Sequence, residues 1–460
     1  MTDGEAMMSE TIPTFPGVPV LGALPAVRRD MLRTFVRAAK LGDVVHLPFP
    51  GRQGYLIVHP DLIKHVLVDN HKNYGKGTRG YRMLRLALGE GLVTSEGEFW
   101  RRQRRIAQPA FHHQRIAAFA ETMVTSTERM LDQWAQHDST KVIDIDAEMM
   151  RVTLEIVGLC LMSTDLADES GVVGGAITEV LEGTVKRVQN PLTLPLEVPT
   201  PGNRRFVRAL SRLDEVVYGI IRERQGMQSP PQDLLTMFME AVDEETGERM
   251  NEKHLRDEVL TMVSAGHETT ANALTWTFYL LSQHAEEAEK LRAELAAVLG
   301  GRSPTLEDLP NLPYTDAVVK ESMRLLPPVW MIARSVIDDD VIGGHTIPAG
   351  SMVFLNTYVT HRDPRFFEAP ERFMPERFAR GDVDRQPKYA YFPFAGGPRV
   401  CIGNSFAAME AKLLLATIAQ RYAPRLAPGH DVTPIPTVTL RPKYGMRMFL
   451  ERVDRSKAAA

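Results

Sequence analysis

Cysteine is nearly absent: the 460 residues hold two, Cys160 and Cys401. Two widely separated thiols cannot build a disulfide framework, so the chain reads as a cytoplasmic protein of a reducing compartment. Net charge is slight, −4 from 54 Lys and Arg against 58 Asp and Glu. That excludes a nucleic-acid binder working through a strongly basic face. No uncharged apolar run approaches the ~18 residues of a membrane-spanning helix. Met1 to Pro13 are polar and acidic, without the basic and apolar regions of a secretory leader. Internal repeats and low-complexity tracts are also missing.

What remains is the composition of an ordinary soluble globular enzyme, 44% hydrophobic and 24% charged. Length alone suggests two or three domains. Apolar residues recur at helical spacing over about 60–70, 98–135, 144–162, 205–226, 251–283, 285–299, 315–326 and 403–421. Strand-like segments are few: Val44–Leu47, Tyr55–Val58, a group between Val341 and Leu355, and a probable hairpin from Thr437–Leu440 and Met446–Leu450. The expected fold is mainly α with a small β region. The start, residues 1–25, is broken by prolines and should pack on the domain surface. Residues 71–97 and 189–203 read as long irregular connections, of the kind that form lids and binding loops.

The richest segment is Phe394-Ala395-Gly396-Gly397-Pro398-Arg399-Val400-Cys401-Ile402-Gly403. It places a thiol where a glycine-bearing loop runs into an apolar helical stretch, whose N–H groups and dipole favour thiolate. Thiolate binds a soft metal or attacks carbon, and both readings stay open at this point. Gly397 and Gly403 remove side chains where a flat ligand would need the backbone close. Arg399 offers a cation to an acidic ligand edge. A metal–thiolate bond to a large planar anion, as in haem, accounts for all of these.

Three further motifs matter. Ala265-Gly266-His267-Glu268-Thr269-Thr270 interrupts a long helical pattern for which Asn251 is the natural cap. Glycine and hydroxyls in mid-helix lower propensity and can open it locally, beside an acid and an alcohol suited to proton transfer. Glu321-Ser322-Met323-Arg324 sets two charges one turn apart, and Arg377 sits between aromatics; a shared buried carboxylate would be a fold-fixing network. Trp100 and Arg104 share a helix face and suit a carboxylate, while Arg101, Arg102 and Arg105 face solvent or an acidic protein. Two matches by letter lead nowhere. His267-Glu268 lacks a second histidine at Ala271, and Gly75-Lys76-Gly77-Thr78-Arg79-Gly80 lacks the context of a dinucleotide loop.

Together these motifs, spread from residue 100 to residue 403, resemble the cytochrome P-450 superfamily of haem-thiolate monooxygenases, soluble bacterial type. The resemblance implies the helical cytochrome P-450 fold around haem b, with small sheets. It also implies a single domain over 1–460 with no fused reductase. It makes Cys401 the axial metal ligand and gives Phe394, Gly397 and Gly403 to the cysteine loop. Trp100, Arg104, Arg334 and Arg399 become the cations and donors for the propionates, which are costly to bury unpaired. Ala265 and Gly266 leave room for O2, and Glu268 with Thr269 passes protons. Glu321, Arg324 and Arg377 become structural. Cys160 is a packing thiol.

The implied reaction inserts one oxygen atom from O2 into a C–H or C=C bond of a hydrophobic small molecule. Electrons would come from a ferredoxin or flavodoxin. The protein would act as a monomer, without nucleic acid or a membrane span. The walls of the substrate site would be Tyr81, Met83, Leu84, Leu86 and Leu88, the region 180–200, Met262 and Ala265, Val329–Ile332 and the turn near Thr437. A haem-thiolate peroxygenase or isomerase, a non-catalytic haem-based ligand binder and a cysteine hydrolase are the competing functions. The intact Glu268-Thr269 pair speaks against the first.

Overall fold

The computed structural model describes residues 11–453 apart from 138–140, 167–169, 191, 244 and 246. Residues 1–10 of the N-terminal segment, and Pro191 of the second connection, thus lie outside the described residues. The chain forms two compact units from interleaved stretches. A sheet unit takes the chain through Thr78, Trp330–Glu371 and Val383–Cys401. A helical unit takes Arg79–Val329, Arg372–Asp382 and the chain from Ile402 on.

The sheet unit is built on five strands in the order Val44–Phe49, Arg52–Ile57, Met352–Leu355, Ile332–Val336 and Tyr74–Gly75. The first two form an antiparallel hairpin, and Arg52–Ile57 runs parallel to Met352–Leu355. One face is sealed by aromatics: Phe35 meets Phe354 and Trp330 edge-on at 5.7 and 6.2 Å. The Gly343-Gly344 pair turns a small hairpin, Asp340–Ile342 against His345–Ile347, with φ of +58° and +80°. Both central residues lie in the left-handed region that the twist of such a hairpin demands.

In the helical unit, Glu252–Gln283 is the axis. Asn251 caps it as expected, its side chain accepting from the His254 N–H at 2.9 Å. Side chains from Leu255 to Leu281 are buried on nearly every face, which is what a helix surrounded by others requires. Its neighbours are Ile145–Met162, Pro201–Gln225, Pro313–Leu325 and Asn404–Ala419. The helix runs unbroken through 265–270, so the anticipated opening is not a break in the spiral. Thr269 and Thr270 instead turn their hydroxyls back to the Ala265 and Gly266 carbonyls, at 2.7 and 3.3 Å.

Four expectations change. Arg79–Leu88 is a helix inside the supposed irregular stretch 71–97. Glycines at its flanks hid it, while Leu84, Ala87 and Leu88 supply a buried face. Ser170–Gln189 was not anticipated as a helix. It carries Gly174, Gly175 and Gly183, and packing on Pro201–Gln225 and Arg79–Leu88 overrides their low propensity. The expected helix 98–135 breaks near Pro109 into Gly97–Ala107, His113–Ala117 and Ala120–Ala135, with a tight turn between the first two. At the carboxyl end Arg447–Arg452 pairs with Tyr422–Leu426 and Val142–Asp144, while Leu440–Pro442 pairs with Pro434–Pro436. The two segments expected to pair with each other belong to different sheets.

Glu321 is fully buried. Its oxygens accept from Arg324 at 2.7 and 2.9 Å, from Arg377 Nε at 3.1 Å and from the Met374 N–H at 2.8 Å. The structural network read from the sequence is therefore present. Glu410, on Asn404–Ala419, is the opposite case: it is fully buried, and no ion pair to it is found among the described residues. Burial pushes its pKa up to about 8, opposed by the Thr270 hydroxyl. The folded chain thus holds a proton that the unfolded chain releases near pH 4. Stability from this group is intact at acid pH and declines as pH rises toward 8. Glu410→Gln should flatten that decline, seen as a smaller loss of thermal midpoint between pH 5.5 and 8.

Candidate active site

In the sheet unit, the Cys401 N–H donates to the Phe394 carbonyl at 3.0 Å and closes the loop between them. The thiol at its end is exposed and free of any disulfide. The loop holds two residues in the left-handed region, Ala395 at φ +60° and Gly397 at φ +67°. Gly397 serves the protein before any ligand, because a Cβ there would lie 1.9 Å from the Leu67 carbonyl oxygen. That adds a reason within the protein to the expectation that it clears space for a flat ligand. Phe394 and Arg399 are half-buried around the loop. Arg334, on the strand Ile332–Val336, is buried and donates to the Ala333 carbonyl at 2.9 Å.

In the helical unit, Gly403 precedes the helix Asn404–Ala419 at its cap position. A Cβ there would meet only Phe111, at 3.8 Å, so this glycine does leave an open face. Trp100 and Arg104 lie four residues apart on Gly97–Ala107, the indole buried and the guanidinium half-buried. The other arginines of that helix are committed: Arg101 to Glu98, Arg102 to Glu248, and Arg105 to Asp243 and Glu245 at 2.9 and 3.1 Å. Their charge is answered by carboxylates, which weakens the picture of a free basic patch for an acidic partner.

The motif of the long helix has two faces. Ala265 is exposed and Thr269 half-exposed, so a small residue and a hydroxyl share an open side. Glu268 turns the other way and is buried. It accepts from the Thr439 hydroxyl at 2.7 Å and lies 3.7 Å from Arg441 Nε. Burial raises its pKa, opposed by Arg441 and the Thr439 hydrogen bond. Gly266 is half-buried against Val157. His267 is buried and its Nδ1–H donates to the Val263 carbonyl at 3.0 Å; burial lowers its pKa to about 4, so it stays neutral.

Sequence reasoning missed Thr439, Arg441 and Asn272 around Glu268. A signal existed: Glu268, Asn272 and Thr275 recur at i, i+4 and i+7, a polar stripe in the middle of a buried helix. Cys160 is buried, and desolvation with the nearby Glu410 raises its thiol pKa, as suits a packing residue. Among the described residues, no group of three or more His, Cys, Asp and Glu could hold a metal. Among those residues too, no helix is long and apolar enough to cross a membrane.

Comparison with known proteins follows the same line. A family model described as Cytochrome P450 matches residues 12–448. The chain is 37% identical over 422 residues to cyclooctat-9-en-7-ol 5-monooxygenase of Streptomyces melanosporofaciens, covering 91% of each chain. It is 36% identical over 426 residues to cyclooctatin synthase of the same organism, covering 92% of each. Pentalenene oxygenase of Streptomyces avermitilis is 32% identical over 439 residues, 95% of this chain and 96% of that one.

The cysteine loop carries its own test. Gly397→Ala combines a left-handed φ with a backbone clash, and should lower stability by roughly 1–3 kcal/mol while displacing the thiol. Urea unfolding would report the first effect and alkylation kinetics of Cys401 the second.

Proposed function

The chain belongs to the cytochrome P450 family, a family of haem-thiolate monooxygenases, and we propose that it inserts one oxygen atom from O2 into a C–H or C=C bond of a cyclic, terpenoid-class hydrocarbon or alcohol. The substrate class is supported by the names of two relatives, cyclooctat-9-en-7-ol 5-monooxygenase and pentalenene oxygenase. Two observations support the reaction, each within its own unit: an exposed, disulfide-free Cys401, and a helix whose open face bears Ala265 and Thr269.

The residues fit haem b. Cys401 supplies a soft donor, Gly403 leaves a face that no side chain fills, and Trp100, Arg104, Arg334 and Arg399 supply donors for two propionates. When bound, the haem supplies oxygen activation and atom transfer. The chain's own work is to hold and to move protons. Cys401 binds as thiolate. Thr269 Oγ1 spends its proton on the Ala265 carbonyl, so its free lone pairs face the open side and can accept there. Glu268, buried behind it, is the acid that replaces protons consumed on that side. A ferredoxin or flavodoxin would deliver the electrons, and the protein would work in the cytoplasm as a monomer.

Cys401→Ser should abolish the red-shifted Soret band of the reduced carbon monoxide complex; an unchanged band removes Cys401 as ligand. Thr269→Ala should keep the haem but release several-fold more peroxide per electron consumed, and fully coupled turnover would overturn its assignment.

A further inference from the structure

Within the sheet unit, the cysteine loop is held at more than one point. Gly397 packs against the Leu67 carbonyl, and Gly396 against Tyr389, where a Cβ would lie 2.4 Å from a ring carbon. Those contacts hold the middle of the loop. Its start is held by His361.

His361 is fully buried, and the chemistry assigned above makes no use of it. Its backbone is tied to the sheet. Asn356 follows the strand Met352–Leu355 and caps the short helix Thr357–Thr360, its side chain accepting from the Val359 N–H at 3.1 Å. The Thr360 hydroxyl donates to the carbonyl of Val58, just beyond the strand Arg52–Ile57, at 3.3 Å. The His361 N–H donates to the Thr357 carbonyl at 2.9 Å. On the imidazole, Nε2 accepts from the Phe392 N–H at 2.9 Å. A ring nitrogen that accepts carries no proton, so this imidazole is neutral with its hydrogen on Nδ1. Tyr391 lies beside the ring, with centroids 4.9 Å apart, and Phe392 meets it edge-on at 5.3 Å.

From Phe392 the hydrogen bonding continues to Cys401. The Phe392 carbonyl accepts from the Ala395 N–H at 3.0 Å, and the Phe394 carbonyl accepts from the Cys401 N–H at 3.0 Å. Ala395 has a φ of +60°, which a residue other than glycine keeps only where its surroundings impose it. Pro393 has no N–H, so the one backbone donor of Phe392-Pro393 is the one that His361 takes. Left without that acceptor, a buried N–H is costly, and the turn must shift to find another.

Resting on the monooxygenase reading above, we propose that His361 is a positioning residue for Cys401, its neutral imidazole anchoring Phe392 to the sheet, holding Ala395 in the left-handed region and so fixing where the thiolate is presented. Without the anchor, Ala395 relaxes toward an ordinary φ. The Cys401 N–H then loses its fixed partner, and the sulfur its fixed place.

His361→Leu removes the acceptor and keeps apolar bulk, while His361→Gln offers an amide oxygen near the place of Nε2. In the purified holoenzyme, well below the thermal midpoint, the reduced carbon monoxide complex of His361→Leu should show a several-fold larger fraction lacking the red-shifted Soret band. Cys401 should also alkylate several-fold faster; Cys160 is buried and does not compete for the reagent. His361→Gln should return both readouts toward wild type. A lower thermal midpoint in His361→Leu, with band and alkylation rate unchanged, would make the residue a packing element only and overturn the proposal. Should that variant fail to fold, nitrogen NMR of the wild-type imidazole decides: an unprotonated Nε2 supports the anchor and a protonated one overturns it. If the wild-type protein itself lacked the red-shifted band, the monooxygenase reading would fall, while the alkylation rates would still decide whether His361 holds Cys401.

Discussion

The buried carboxylate of Glu321 is held by two guanidiniums and a backbone N–H. A charge taken so far from water is tolerable only because both carboxylate oxygens accept hydrogen bonds, and removing one partner from such a cluster costs about 3–5 kcal/mol. The pairing joins Pro313–Leu325 to the short segment around Met374 and Arg377. The same helix packs on the long Glu252–Gln283 axis and on Asn404–Ala419. An ionic cluster with no role in chemistry thereby fixes the helices on which the chemical groups stand.

Glu268 and Thr269 are adjacent in sequence yet face different surroundings, because successive residues on a helix point about 100° apart. Thr269 shares the open side with Ala265, while Glu268 is enclosed by Thr439, Asn272 and Arg441. This separation lets one turn of helix present a hydroxyl on its open face and an acid sheltered behind it. Burial, not the partner charge, sets the direction of the Glu268 shift. Exclusion of water disfavours its charged form, and Arg441 with the Thr439 hydrogen bond limits how far that goes.

The long helix and its Asn251 cap were legible because apolar spacing and a capping residue are local signals. The Glu321–Arg324 turn was legible for the same reason, and Arg377 joined it through its aromatic flanks. Ser170–Gln189 escaped because its glycines argue against a helix and only packing stabilises it. The carboxyl-terminal pairing escaped because strand register depends on partners as distant as Val142–Asp144.

By itself the sequence determined the kind of chemistry: a single thiol in a glycine-bearing loop, an acid–alcohol step and a charged triad, each made of neighbours whose spacing suffices to define them. Only the tertiary structure decided what each group faces. It showed that Gly397 is required by the Leu67 carbonyl, that Arg102 and Arg105 are already paired, and that Glu268 looks onto Thr439 and Arg441. The reason is that exposure, pairing and proton affinity are set by what lies across space, and those neighbours are separated in the chain by far more than any local pattern spans.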